Sequence, residues 1–175
     1  NIEGEKVDHL IPENEIHVSE LTRNSPVEVR NKVNEFLNGI DAAYGWTDRK
    51  IASSLERDKG YHSYYLEEDG KIVCAYDYSI SSERLAHMYR MRTSPEASQK
   101  YLQKKGETLG DALSSHFLEN AQNQGANEAY AEVTEAGYRL IKRAGSKNAV
   151  IFTEDKPPSS EMGGYGLVRF KFSKG

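Results

Sequence analysis

Residues Met91 to Gly125 read MRTSPEASQKYLQKKGETLGDALSSHFLENAQNQG. An alternating, partly apolar strand runs into Ser94-Pro95. A polar segment follows, then Lys105-Gly106-Glu107-Thr108-Leu109-Gly110, then a helical pattern. A strand, a glycine-bearing turn and a helix start in that order present backbone N–H groups that no helical carbonyl takes up. Such groups suit a phosphate. The helix is expected over about residues 107–124, burying Leu109, Ala112, Leu113, Ala121 and one of His116 or Phe117, with Gly125 as its C-terminal cap.

Working towards the N-terminus, Leu85 to Thr93 is the strand that feeds this stretch. Before it, Tyr61–Glu67 and Lys71–Ile80 flank Asp69-Gly70, a tight hairpin signal. Ser25-Pro26-Val27-Glu28 opens a helix whose apolar face carries Val29, Val33, Phe36, Leu37 and Ile40. Thr47-Asp48 opens a second helix with Ile51 and Leu55 four apart, ending near Gly60. Ile16–Leu21 alternates as a first strand. Residues 1–14 are polar and aperiodic and read as a loose lead-in, leaving 15–175 as a single domain. Towards the C-terminus, Glu128–Thr134 is a strand and Ala136–Ala144 a helix capped by Gly145. Ala149–Thr153 is a strand, 155–166 a turn-rich loop and Leu167–Phe172 the last strand. The order is β-α-α-β-β-β-α-β-α-β-β, an α/β (α+β) chain with antiparallel hairpins around one βαβ unit.

The bulk numbers narrow the classes. With 175 residues, the chain is long enough for a core. A net charge of -4 and a sequence pI of about 5.8 argue against nucleic acid or an anionic membrane as partner. The single cysteine, Cys74, rules out an internal disulfide and any cysteine-based metal site. The five histidines show no ligand spacing, so no metal is expected. No run is apolar and long enough to span a membrane and no signal peptide is visible, which points to the cytoplasm. The chain starts at Asn1 rather than Met, as a trimmed piece of a longer protein would.

The element order together with Met91–Gly110 resembles the GNAT superfamily, the GCN5-related N-acetyltransferases. Met91-Arg92-Thr93-Ser94-Pro95 stands where the family ends its fourth strand with a pattern like L-x-V-x-P. Lys105-Gly106-Glu107-Thr108-Leu109-Gly110 is similar to its (Q/R)-x-x-G-x-(G/A) pyrophosphate loop. Ala136 to Ser146 is similar to its N-x-x-A-x-x-x-Y-x-x-x-G-F segment. There are three departures: Thr108 stands for a glycine, several extra residues separate Pro95 from the loop, and Ile141 occupies the position of a tyrosine that protonates the leaving thiolate. The resemblance implies a mixed, mostly antiparallel sheet with a central splayed parallel strand pair and flanking helices. It implies acetyl-CoA as co-substrate and an amine, of a small molecule or a protein, as acceptor. It implies pantetheine contacts from Met91 and Thr93. The pyrophosphate would take N–H groups of Gly106, Thr108, Leu109 and Gly110, with Lys105 or Lys104 adding charge.

Acylation of an amine needs the neutral form, so a base belongs near the thioester. His87, in phase with Leu85, Tyr89 and Met91, is one candidate. Glu132 is the other, its phase relative to Tyr130 left open. Tyr138, one turn before Ile141, or Tyr89 stands in for the missing acid. Each of these side chains also has an ordinary structural reading. Cys74, inside a strand, is a poor nucleophile. The tyrosine-rich strands Tyr61–Tyr65 and Cys74–Tyr78 line a pocket or simply pair across the sheet. Trp46 is a substrate contact or a packing anchor. The rivals to an acetyltransferase are a degenerate binding or regulatory module and a secreted effector built on the same frame. A last strand with an exposed edge would offer a route to a homodimer.

Overall fold

The computed structural model describes residues 7–11, 16–43 and 60–173. The expected second helix and Trp46 lie outside the described residues. The elements are strands β1 (Val7–Ile11) and β2 (Ile16–Leu21), helix α1 (Val27–Ala43), strands β3 (Tyr61–Glu68), β4 (Lys71–Ile80) and β5 (Leu85–Thr93), helices α2 (Pro95–Lys105) and α3 (Leu109–Asn123), strand β6 (Glu128–Val133), helix α4 (Glu135–Lys147), and strands β7 (Ile151–Ser159) and β8 (Tyr165–Lys171), with a 3₁₀ turn Ser160–Met162 between the last two. No helix among the described residues is long and apolar enough to cross a membrane.

Two compact units divide the chain. One holds the residues up to Tyr78 and Arg90–Leu109; the other holds Ser79–Tyr89 and the residues from Gly110 onward. In the first unit the strand order is β1-β2-β3-β4-β5. The expected lead-in is therefore not loose throughout: Val7–Ile11 pairs antiparallel with β2, Val7 opposite Glu20 and Ile11 opposite Ile16. Asp69 and Gly70 take φ of 51° and 78°, the left-handed pair that a two-residue hairpin needs. Tyr64, Tyr76 and Tyr78 are fully buried and stack at 5.4–6.5 Å, which assigns these tyrosines to packing rather than to a pocket. α1 covers this unit with Val33 and Leu37, both fully buried. It starts at Val27, and Ser25 does not cap it as expected. The Ser25 hydroxyl accepts from Thr22 N–H at 2.9 Å and closes the preceding turn.

In the second unit the order is β5-β6-β8-β7. β5 and β6 run parallel, paired over Leu85–Met88 and Glu128–Ala131 only. β8 is antiparallel to both β6 and β7. The last strand therefore has neighbours on both sides, so the exposed edge that a homodimer through it would need is absent among the described residues. The edge is β7, which carries Pro157 and Pro158, residues that blunt pairing with another strand. β7 also runs through much of the segment expected to be a loop. One face of this sheet buries Ala129, Ala131, Val133, Val168 and Phe170. α4 packs on β6, β7 and β8 with Ile141, Ala144 and Gly145, the i, i+3, i+4 stripe of an amphipathic helix. Gly145 is not a cap: α4 continues to Lys147. A Cβ at Gly145 would meet Phe152 Cζ at 2.6 Å and Val150 Cγ2 at 2.9 Å, so glycine is there for close approach.

The polar segment after Pro95 is a helix. Ser94 accepts from Ala97 N–H, Pro95 sits in the first turn, and Gly106 ends the helix in the left-handed region. α2 buries no residue, so it has no apolar stripe by which periodicity would have revealed it.

Candidate active site

The stretch Lys105–Gly110 is the junction between α2 and α3. Gly106, with φ of 72°, donates its N–H to Leu102 O at 2.8 Å, so this expected phosphate donor serves as the cap of α2. α3 begins at Leu109, two residues later than expected, and Leu109 is buried. Gly110 is small for a packing reason: a Cβ there would come within 2.9 Å of Leu140 Cδ1. Lys105 is exposed. Together with Lys100, Lys104, Tyr101, Glu68 and Leu109 it lines a cavity of about 390 Å³. Burial and the charge of Glu107 push the Tyr101 hydroxyl up to about 12, so it stays protonated and able to donate. Met91 and Thr93 sit half-buried near the end of β5, which turns at Ser94 with its N–H donated to Val73 O.

For acetyl-CoA, the fit of this stretch is therefore specific in its parts. The helix start at Leu109 and three lysines around one cavity suit a polyphosphate. Gly106 contributes its turn rather than its N–H.

Glu132 lines a second cavity, of about 420 Å³, in the β6-β8-β7 sheet, and His87 does not: it stands behind the lining residue Tyr130. The cavity lies on the face opposite the buried alanines and phenylalanines. Register builds it. His87 is paired with Tyr130, Tyr130 with Arg169, and Arg169 with Glu154, which makes one row of side chains across four strands. The next row sets Glu132 beside Leu167. This settles the phase left open in the sequence: Tyr130 and Glu132, two residues apart, share a face.

The His87 ring stacks on Tyr130 at 4.2 Å with an interplanar angle of 11°, and meets Tyr89 edge-on at 4.5 Å. His87 is thereby fixed by two tyrosines rather than facing open solvent. Desolvation, with the nearby Tyr89 and Glu132, holds the Tyr130 hydroxyl above its usual range. Arg169 donates to Glu128 at 3.0 Å, and that bond holds the guanidinium firmly charged. Glu132 is exposed at the end of β6 and has no ion pair among the described residues. Leu85, Met162, Tyr165 and Gly166 complete the lining.

Tyr138 stands apart from this group. Its hydroxyl donates to Asp155 Oδ1 at 2.5 Å, and Lys142 pairs with the other oxygen of the same carboxylate. Asp155 neighbours the cavity-lining Glu154 on β7, and adjacent strand residues face opposite ways. The hydrogen bond to Asp155 raises the Tyr138 hydroxyl above its ordinary value and so makes it a weaker acid. The expected substitute acid is thus engaged on the helix side of the sheet. Burial likewise pushes the Cys74 thiol well up, as expected of an inert strand cysteine.

Sequence reasoning missed Glu154, Met162, Tyr165 and Arg169. The signal was the alternation Tyr165, Leu167, Arg169 against Gly166, Val168, Phe170, which marks a second face worth assigning. It also missed a buried cluster in the first unit. Arg90 Nη2 donates to Asp77 Oδ2 at 2.5 Å, Tyr61 donates to the same oxygen at 2.5 Å, and Arg90 Nη1 reaches Asn38 on α1 at 2.5 Å.

No protein-family model matches the chain, and no curated protein matches it by sequence. Solved structures do match. The aminoglycoside 6′-acetyltransferase type Ii is similar with a TM-score of 0.58 at 12% identity, over 90% of this chain and 97% of that one. A GNAT-family acetyltransferase from Staphylococcus aureus Mu50 has a TM-score of 0.51 at 12% identity, over 89% and 99%. An IAA acetyltransferase from Bacillus cereus ATCC 14579 has 0.52 at 10% identity, over 87% and 95%. At such identities the likeness establishes the fold: the chain is folded as the GNAT acetyltransferases are.

Proposed function

We propose that the protein is an acyl-CoA-dependent N-acyltransferase that moves an acetyl group from acetyl-CoA to an amine. The observation that carries this reading is the lysine-lined cavity beside Leu109 in a chain with this fold; fold alone would not choose a function. Acetyl-CoA brings the activated acyl thioester. Met91 and Thr93 hold its pantetheine through their backbone, while Leu109, Gly110, Lys104 and Lys105 take its phosphates. Glu132 receives the proton that the acceptor ammonium must lose, directly or through water, and His87 backs the Tyr130 ring that borders the same cavity. Positioning of the amine supplies much of the rate, so no dedicated acid is required.

A second reading, a binding module without turnover, draws on the engaged Gly106 N–H and the engaged Tyr138. The two separate on one experiment. Acetyl-CoA is titrated calorimetrically into the wild type and into a Lys104→Glu/Lys105→Glu variant, both changes at exposed positions. The acyltransferase reading expects saturable binding that weakens tenfold or more in the variant, about the scale of one lost charge-assisted contact. Wild-type protein that does not bind acetyl-CoA would remove the reading.

A further inference from the structure

We infer that the cavity between β6, β8 and β7 is the acceptor pocket, and that it selects an organic cation: a primary ammonium carried on an apolar or aromatic body. This rests on the acyltransferase reading for its catalytic meaning, but the recognition argument stands on the cavity alone.

The lining divides into two kinds of side chain. Tyr130, Tyr165, Met162, Leu85 and Leu167 form apolar walls. Glu132 and Glu154 are the carboxylates at the same cavity. Arg169 is the one cation among the lining residues, and it is already bonded to Glu128 at 3.0 Å. Glu154 is partly compensated by Lys156, whose Nζ lies 3.5 Å from it, and by Arg169, its register partner on β8. Glu132 has no such cation among the described residues. The uncompensated charge facing the cavity is therefore negative, and it comes from Glu132, the residue proposed above to take the acceptor's proton.

Aromatic and thioether walls favour flat or apolar matter, and tyrosine faces add attraction for a cation. A volume of about 420 Å³ falls in the range of small-molecule pockets. An anionic acceptor would meet Glu132 and Glu154 and be repelled. A bare polyamine would satisfy the carboxylates and leave the apolar walls unused. The walls are also held in place. Tyr130 is stacked by His87, and Tyr165, Leu167 and Arg169 stand on a strand paired on both sides. The pocket is built on sheet rather than on a free loop, except where the 3₁₀ turn brings in Met162.

The test uses the whole protein without acetyl-CoA. Phenethylamine, 3-phenylpropionate and spermidine are titrated by calorimetry or by ligand-observed NMR. Phenethylamine is expected to bind, 3-phenylpropionate not to bind, and spermidine to bind at least tenfold more weakly than phenethylamine. Glu132→Gln, at an exposed position, is expected to weaken phenethylamine about tenfold. Tyr165→Leu serves as the second variant, removing an aromatic wall while keeping an apolar one, and is expected to weaken it several-fold. Equal binding of the amine and the carboxylate, binding indifferent to Glu132→Gln, or no amine binding at millimolar concentration would overturn the inference. Spermidine binding as tightly as phenethylamine would overturn its aromatic part. A parallel titration with acetyl-CoA keeps the two readings apart. Acetyl-CoA binding without amine binding removes only the pocket assignment; amine binding without acetyl-CoA binding removes only the transferase.

Discussion

Two strand residues carry charges inside the core. Asp77, between Tyr76 and Tyr78, is fully buried, and Arg90 is 4% exposed. Each is tolerable because the other is there, with Tyr61 and Asn38 filling the remaining bonds. Asp77→Ala leaves the Arg90 charge buried without its partner and is expected to cost about 3–5 kcal/mol in urea unfolding. Replacing Asp77, Arg90 and Tyr61 together by Leu, Met and Phe is expected to recover most of that loss. Tyr138 makes the opposite point. Its position one turn before Ile141 suggested an acid, yet its hydrogen bond runs to Asp155. Tyr138→Phe is expected to reduce turnover far less than the roughly 100-fold or more that loss of a general acid costs. The carboxyl of Asp155 is held below its usual range by Lys142 and then Tyr138. A depressed carboxylate stabilises the fold above the unfolded pKa, about 4, and loses that contribution as pH falls through the folded value. Asp155→Asn is therefore expected to be slightly less stable than wild type at neutral pH, by under about 1 kcal/mol at so exposed a site. The difference should close on acidification below about pH 4. A gap that persists or grows in acid would contradict the assignment.

Among the elements, legibility followed burial. The hairpin around Asp69-Gly70, the β5 strand and α3 each announce themselves by turn chemistry or an apolar pattern, and each is present. α2 buries nothing, so only its caps, Ser94-Pro95 and Gly106, betray it. β1 was hidden because Val7-Asp8-His9-Leu10-Ile11 does not alternate strictly and follows six polar or aperiodic residues, although only four residues separate it from its partner β2. Gly145 was misread because a glycine near a helix end suits a cap and a close contact equally well. The structure shows the close contact, which sets an expectation. Gly145→Ala pushes a methyl into Phe152 and Val150 and should cost about 1–3 kcal/mol. Gly110→Ala meets only the tip of Leu140, which can turn aside, and should cost under about 1 kcal/mol. Thermal unfolding of the two variants compares them directly. The candidate site was legible in its residue types and not in its neighbours. His87 and Glu132 stand out in sequence, but Arg169 and Glu154 join them only through the β6-β8-β7 register, which no local pattern encodes.

At the scale of the whole molecule, the fold is that of acetyltransferases that differ from this chain at almost nine positions in ten. Such a fold accommodates many acceptors, so the claim about function has to rest on the two cavities, one cationic and one anionic with aromatic walls. The proposal gives each cavity its own ligand, a polyphosphate for the first and an ammonium for the second. The most direct measurement is release of free thiol from acetyl-CoA with phenethylamine as acceptor, read alongside formation of the N-acetyl product by mass spectrometry. Cys74 is buried and adds no background in the native protein. Thiol and acetylated amine accumulating in equal amounts, at a rate that falls at least tenfold in Glu132→Gln, is the expected result. No thiol release above the amine-free control, with phenethylamine or with any of a panel of primary amines, would contradict the account.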